Sequence, residues 1–302
     1  MYDGKWAMVG QGGCSVARLA LLLLGMSPAA LAQEMGARSL GAGLTGRADG
    51  GDSGAAGLNV AAVSLAPTYD VVAGIGFGPN KLFMQRAFAM DSRTSMVTMG
   101  AGYYHEADVT VLSGSDLPGW KTPEDELLNP TDHQGVGIAF AYPFLSRRMS
   151  VGATARYDWR VGERTGKQSD FNFGVTAAGR PIDTLTLALG FRNALLLGYP
   201  DSQRELDAAV RWAPGPFLGL EMDGVVPVEK EVEWSGARLG SGAEVGIAAL
   251  LAIRAGWSTS AGQHDLTAGL GLSSEHAALD YGIRIGLGDV QLWHAVDLKV
   301  MF

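Results

Sequence analysis

Cysteine is nearly absent from this chain. Cys14 is the only one in 302 residues. It precedes an apolar run that reads as part of an export leader, so the expected mature chain carries no thiol. That excludes disulfide frameworks and thiolate metal sites. Long apolar runs are missing too. The longest candidate, Leu19 to Met26 (LALLLLGM), falls far short of the ~20 residues a spanning helix needs, although 47% of the residues are hydrophobic. Positive charge is scarce: 23 Lys and Arg stand against 31 Asp and Glu, a net charge of −8. An acidic chain is a poor partner for a phosphate backbone, so nucleic acid is not expected. The five histidines, His105, His133, His264, His276 and His294, include no two at metal-ligand spacing. No G-x-S-x-G nucleophile motif occurs, and no His is followed at +2 by Ser. The chain reads as a non-enzyme with no cofactor and no metal.

Residues 1–32 have the build of a cleaved signal. Lys5 and Arg18 supply positive charge, the short apolar run follows, and Ala30-Leu31-Ala32 is a small-x-small site before Gln33. Removing them takes away Asp3, Lys5 and Arg18 and leaves 21 basic against 30 acidic residues, or −9.

Glycine and alternation are what the chain does have. Its 43 glycines are about twice the usual share. At the far end Leu292, His294, Val296, Leu298, Val300 and Phe302 interleave with Trp293, Ala295, Asp297, Lys299 and Met301. A strand sends alternate side chains to opposite faces, so this is a two-faced strand. The pattern recurs. Met149 to Trp159 gives Met, Val, Ala, Ala, Tyr, Trp on one face and Ser150, Gly152, Thr154, Arg156, Asp158, Arg160 on the other. Leu279, Tyr281, Ile283 and Ile285 oppose Asp280, Gly282, Arg284 and Gly286. About fourteen such strands fit between Pro67 and Phe302. Only near 82–91 is the facing ambiguous, because Arg86 interrupts the pattern.

The connections sort by side. Long ones are expected near 106–134, 193–204 and 225–241. Short ones fall at Asp91-Ser92, Phe144 to Ser146, Ala213 to Gly215 and Ser273-Ser274. Long outer loops, short periplasmic turns and an even strand number are the signature of a bacterial transmembrane barrel. The expected fold is therefore all-β: a transmembrane antiparallel barrel over 67–302, integral to the bacterial outer membrane and in contact with its lipid.

Residues 33–66 lie outside the alternation and are rich in small residues. Gly41 to Gly46 spell a formal G-x-G-x-x-G. A dinucleotide loop needs a strand before it and a helix after it, and neither is present. A segment folded into the lumen as a hatch suits this composition better, with Arg38, Asp49 or Asp52 paired to wall charges. The charges expected to face the lumen include Arg156, Asp158, Arg192, Asp207, Arg211, Glu221, Glu244, Arg254, Asp280 and Arg284. Their mixed signs argue against a strongly ion-selective pore. Aromatics such as Tyr69, Phe77, Tyr142, Trp212 and Tyr281 read as an interfacial girdle. Trp120, Leu127, Leu128 and Leu195 to Leu197 read as apolar loop residues, packed loop on loop or forming an outer apolar ligand surface.

The stretch Gly36-Ala37-Arg38-Ser39-Leu40-Gly41, an acidic small-residue run, and Leu58-Asn59-Val60-Ala61 together resemble the N-terminal segment of FadL-type outer-membrane transporters. PorV-type barrels share that segment. The family usually has proline after the asparagine; here it is Val60. The resemblance implies fourteen strands and a lumenal hatch that includes Asn59. It also implies an opening in the third strand, where Gly100 and Gly102 are consecutive inward positions and glycine often marks a bend. Three functions follow as expectations. One is transport of hydrophobic, fatty-acid-like small molecules with lateral exit through the wall. The second is a scaffold barrel for a protein partner in a secretion or surface complex. The third is a small diffusion pore. By analogy with related outer-membrane proteins, Phe302 and the apolar positions before it form the signal read by the barrel-insertion machinery.

Overall fold

The computed structural model describes residues 36–51, 54, 56–79, 82–108, 132–162, 166–197, 203–228, 234–247, 250–260, 262–288 and 291–302. The expected leader, Asp52, Trp120, Leu127 and Leu128 lie outside the described residues.

Two short helical stretches come first, α1 (Ala37–Gly41) and α2 (Ala56–Val63). Fourteen strands follow: β1 (Tyr69–Phe77), β2 (Leu82–Asp91), β3 (Thr98–Asp108), β4 (Asp132–Phe144), β5 (Met149–Gly162), β6 (Gly166–Ile182), β7 (Leu185–Leu197), β8 (Glu205–Gly215), β9 (Leu218–Pro227), β10 (Arg238–Ile247), β11 (Leu251–Ser260), β12 (Gln263–Ser273), β13 (Ala277–Gly286) and β14 (Leu292–Met301). Each pairs antiparallel with the next, and β1 pairs with β14 to close the barrel. The closing register sets Val71 against Val300 and Phe77 against His294.

The alternation read from the sequence is the alternation of the wall. Along β1, Tyr69, Val71, Ala73, Ile75 and Phe77 are exposed while Asp70, Val72, Gly74 and Gly76 are buried. Leu189, Met222, Leu272 and Val151 all point outward and are more than half exposed. Ionisable residues such as Asp207, Arg254 and Asp297 point inward and are under 9% exposed. An apolar outside around a charged inside is inverted with respect to a water-soluble protein. It suits a bilayer, where a closed ladder leaves no backbone edge unsatisfied. No helix among the described residues is long and apolar enough to cross a membrane.

Several boundaries differ from the sequence expectation. β3 continues to Asp108 and β4 begins at Asp132, which trims the connection expected over 106–134. β7 runs through Leu197, so Leu195 to Leu197 belong to a strand and not to a loop. Leu195 is 56% exposed on the outer face, opposite Phe173. The run looked like a loop because three successive leucines show no alternation and a bulge precedes them: Arg192, Asn193 and Ala194 together oppose Gly174, and Asn193 has φ 54°. A bulge of this kind bends its strand and re-aims the residues after it. β10 starts at Arg238, where Gly240 and Gly242 hide the pattern. β8 carries through Gly215, past the turn expected at Ala213 to Gly215.

β2 resolves cleanly. Met84, Arg86, Phe88 and Met90 face inward, and Ala87 and Ala89 face outward. Both faces carry apolar residues, which is why the facing could not be read from the pattern.

Candidate functional site

Residues 36–51 and 56–66 pack against inward positions of the wall. α1 lies against β11 to β14 and α2 against β4 to β7. The approach of α1 is backbone to backbone. A Cβ at Gly256 would stand 2.7 Å from Gly43 Cα and 2.6 Å from the Ala42 carbonyl carbon. A Cβ at Gly242 would stand 2.7 Å from that same carbon, and one at Gly282 would meet the Gly41 nitrogen at 2.9 Å. Glycine is required at these inward positions because no side-chain rotation could relieve a contact with main chain. The formal G-x-G-x-x-G is part of this contact. Gly43 has φ 77° and Gly46 has φ 138°, turns that wedge the segment against the wall.

Asn59 breaks α2, with φ −153° and ψ 93°. Its Oδ1 accepts from Ala62 N at 3.0 Å, the geometry of an N-cap. Its Nδ2 donates to Leu189 O on β7 at 3.1 Å. One side chain thus starts a helical turn and fastens it to the wall, with Val60 at the position where the resembling family has proline.

Toward the short-turn end the charges form one network. Arg38 Nη2 is 2.8 Å from Asp49 and 3.0 Å from Glu244. Arg211 is 2.5 Å from Asp49. Arg254 reaches Glu244 and Asp280, each at 2.5 Å. Glu221 accepts from Gly46 N and Ala48 N, both at 3.0 Å. Burial alone would push the Asp49 carboxyl up. The guanidiniums of Arg211 and Arg38 and the N–H of Gly51 outweigh it and hold the carboxyl below the usual carboxylate range. A polar space of about 350 Å³ lies within this network.

Toward the end that carries the 109–131 connection stands a second tier. Arg156 Nε is 2.6 Å from Asp158. Tyr104 donates its hydroxyl to Asp158 and lies 3.2 Å from His133 Nε2. Arg192 meets Glu205 at 2.8 Å and Asp207 at 3.2 Å. Arg284 meets Asp265 at 3.0 Å.

Between the tiers, on the β2 to β7 side, is an open space of about 560 Å³. Its wall includes Gly100 and Gly102 on β3, Gly137 and Ala139 on β4, Thr154 and Arg156 on β5, and Asn172 and Gly174 on β6. Phe88 and the start of α2 complete it. The nearest neighbours of Gly100 and Gly102 are side chains of β2. A Cβ at Gly100 would meet Met90 Cε at 2.7 Å, and one at Gly102 would meet the Phe88 ring. β3 pairs with both neighbours without a register shift. The bulge beside this space is on β7.

Asp297 and Asp223 were expected to face the lumen, but their partners Arg86 and Arg47 were not singled out from sequence as anchors. Asp297 accepts from Ala37 N at 2.6 Å and from Arg86 Nη2 at 2.5 Å. Arg47, fully buried, donates to Asp223 at 3.1 Å. The available signal was Arg86 itself: a charge interrupting an apolar strand needs a partner across the lumen.

No family model and no curated protein matches the sequence. Solved structures do. The toluene transporter TbuX of Ralstonia pickettii superposes with a TM-score of 0.68 at 13% identity, over 89% of this chain and 99% of that one. The Pseudomonas putida toluene transporter TodX gives 0.60 at 11% identity, over 88% and 96%. A deltaS2S3 variant of TodX, a monoaromatic hydrocarbon channel, gives 0.60 at 12%, over 88% and 99%. The chain has the fold of these transporters. At such identities the likeness carries the architecture, fourteen strands in a closed barrel, and no residue roles.

Proposed function

We propose that this barrel stands in the bacterial outer membrane and transports small hydrophobic molecules, which enter the lumen from outside and leave sideways through the wall. The observation that carries this reading is the space beside β3. Ligand sites are typically concave and mostly apolar with a few polar groups, and the lining of this space has that character. Its floor is the start of α2. A molecule in it would find the axial path obstructed by residues 36–51 and 56–66, which act as a hatch. At Gly100 and Gly102 the strand contributes no side chain of its own, and the ends of Met90 and Phe88 lie over it. A lateral step there would have to displace those two side chains and part the ladder beside β3. Known barrels of this fold transport toluene, and the resemblance of the N-terminal segment is to transporters of fatty-acid-like cargo; both are small apolar molecules.

The test is the double substitution Gly100→Val with Gly102→Val. The added methyls push Met90 and Phe88 into the space. Uptake of toluene by cells that depend on this barrel should slow while the heat-modifiable folded barrel is unchanged in amount. Normal uptake by the folded variant would remove the lateral route. Conductance unaltered by deleting 36–60 would remove the hatch and move the scaffold reading ahead.

A further inference from the structure

The turn that joins β4 to β5, at the short-turn end of the barrel, is bent in a way its residues disfavour. Leu145, Ser146 and Arg147 have φ of 51°, 55° and 61°. An L side chain in the left-handed region crowds the following carbonyl, so such residues stand singly and are mostly Gly, Asn or Asp. Tight hairpin turns carry two of them, with the same preference. Here three stand in a row and none is of those types. Backbone strain of this kind persists only where the surroundings hold it. The third residue of the run does the holding. Arg147 Nη1 donates to Ser64 O at 2.8 Å, and Nη2 donates to Ser92 O at 2.6 Å. Ser64 and Ser92 are both fully buried. Ser64 directly follows α2, and its hydroxyl is bonded to that of Ser150 on β5. Ser92 lies in the β2–β3 turn, where its hydroxyl donates to Ala66 O at 2.6 Å and accepts from Thr68 N at 2.8 Å. One guanidinium thus ties the strained turn to the end of the N-terminal segment and to a neighbouring turn.

We propose that this turn is a strained latch on the C-terminal end of the hatch. When Arg147 lets go of Ser64, the turn relaxes out of the left-handed region and α2 lifts from the wall. The released strain offsets part of the lost bonding. Latched and open states therefore lie closer in free energy than two hydrogen bonds from a charged donor alone would set them. The start of α2, Ala56 and Gly57, lines the space beside β3, so opening this end moves the floor of that space. The other end of the segment is fastened separately, by Asp297 at Ala37 N, and stays docked. The inference rests on the reading of residues 36–51 and 56–66 as a hatch and is independent of the cargo.

The test places one thiol in the segment. Cys14, the only cysteine, lies in the expected leader, so Ala62→Cys, at a position 0% exposed, supplies a single reporter. The purified, detergent-solubilised barrel is treated with a maleimide, and the labelling rate follows the open population. Arg147→Ala on this background should label at least about tenfold faster, through the loss of hydrogen bonds made by a charged donor. Ser146→Gly keeps both bonds and removes strain from the latched state, so it should label about threefold slower. That sign discriminates. In an unstrained turn glycine only loosens the chain, and labelling would be unchanged or faster. Ser146 is exposed, so this variant decides the matter even where Arg147→Ala folds poorly. An unchanged or faster rate for Ser146→Gly, or an unchanged rate for folded Arg147→Ala, would overturn the latch and leave the hatch reading standing. Immediate labelling of Ala62→Cys with no second substitution would overturn both.

Discussion

Asp297→Ala should release the N-terminal segment without unfolding the barrel. Asp297 is 4% exposed and holds three donors: Arg86 Nε at 3.2 Å, Arg86 Nη2 at 2.5 Å and Ala37 N at 2.6 Å. Removing one partner of a buried ion pair costs about 3–5 kcal/mol, because the other charge stays buried. The lost acceptor for Ala37 N adds about 1–3 kcal/mol. The strand ladder depends on neither contact, so the cost falls on docking of the segment. Trypsin reads it at Arg47, which is fully buried in the docked state. Cleavage that follows the open population should accelerate at least about a hundredfold for about 3 kcal/mol. The double variant Arg86→Ala, Asp297→Ala removes the stranded guanidinium. It should recover at least about tenfold of that protection, a coupling that only a double-mutant cycle exposes. If Asp297→Ala is cleaved at the wild-type rate, or if the double variant is cleaved faster than the single one, the anchoring role assigned to this pair is wrong.

Two further predictions follow from contacts at the same end of the barrel. Phe302 packs its ring 5.2 Å from Tyr69 and offers its carbonyl to Arg93 at 2.7 Å, at the seam where β14 meets β1. Phe302→Asp should reduce the heat-modifiable folded barrel in outer-membrane fractions, and an unchanged yield would count against a role in assembly. The carboxyl of Asp49 is held below its usual range by Arg211 and Arg38. A depressed group stabilises above its unfolded pKa near ~3.9 and loses that contribution as pH falls through the lower folded value. Conductance in planar bilayers should therefore stay low from pH 7 down to about 4, while Asp49→Asn raises it at pH 7. An opening transition between pH 5 and 6 that Asp49→Asn abolishes would contradict the assignment.

The wall was legible in the sequence because its physics is local. A strand with one face to lipid and one to a charged lumen must alternate, and β5, β12 and β13 do so without interruption. The strand count and the inward set of charges followed. What failed was local in another way. On β7 two extra residues interrupt the ladder, and the three leucines that follow, 195 to 197, carry no alternation to read. On β2 the lumen face is largely apolar apart from Arg86, because Met84 and Met90 pack against other buried groups and not against water. The partners of the inward charges were beyond reach for a different reason. Asp297 and Ala37 are 260 residues apart, and which carboxylate meets which backbone N–H depends on how the segment threads the lumen.

The glycines show most plainly where the sequence stops informing. Inward glycines occur on β3, β4, β6 and β10 to β13, and in the sequence they are one class of residue with one explanation, room inside the barrel. Their surroundings divide them. Gly242, Gly256, Gly269 and Gly282 are met by main chain of the N-terminal segment, so each is fixed by a neighbour that cannot move, and a methyl there displaces the segment. Those on β3 face the ends of Met90 and Phe88, side chains with rotamers to spare, next to a space that no part of the protein fills. A substitution at Gly256 is therefore a perturbation of docking, and one at Gly102 is a perturbation of the space. The same chemical change, hydrogen to methyl, should open the barrel in the first place and obstruct it in the second. That opposition in sign is what makes a lumen with a hatch on one side and a passage on the other distinguishable from a lumen that is simply full.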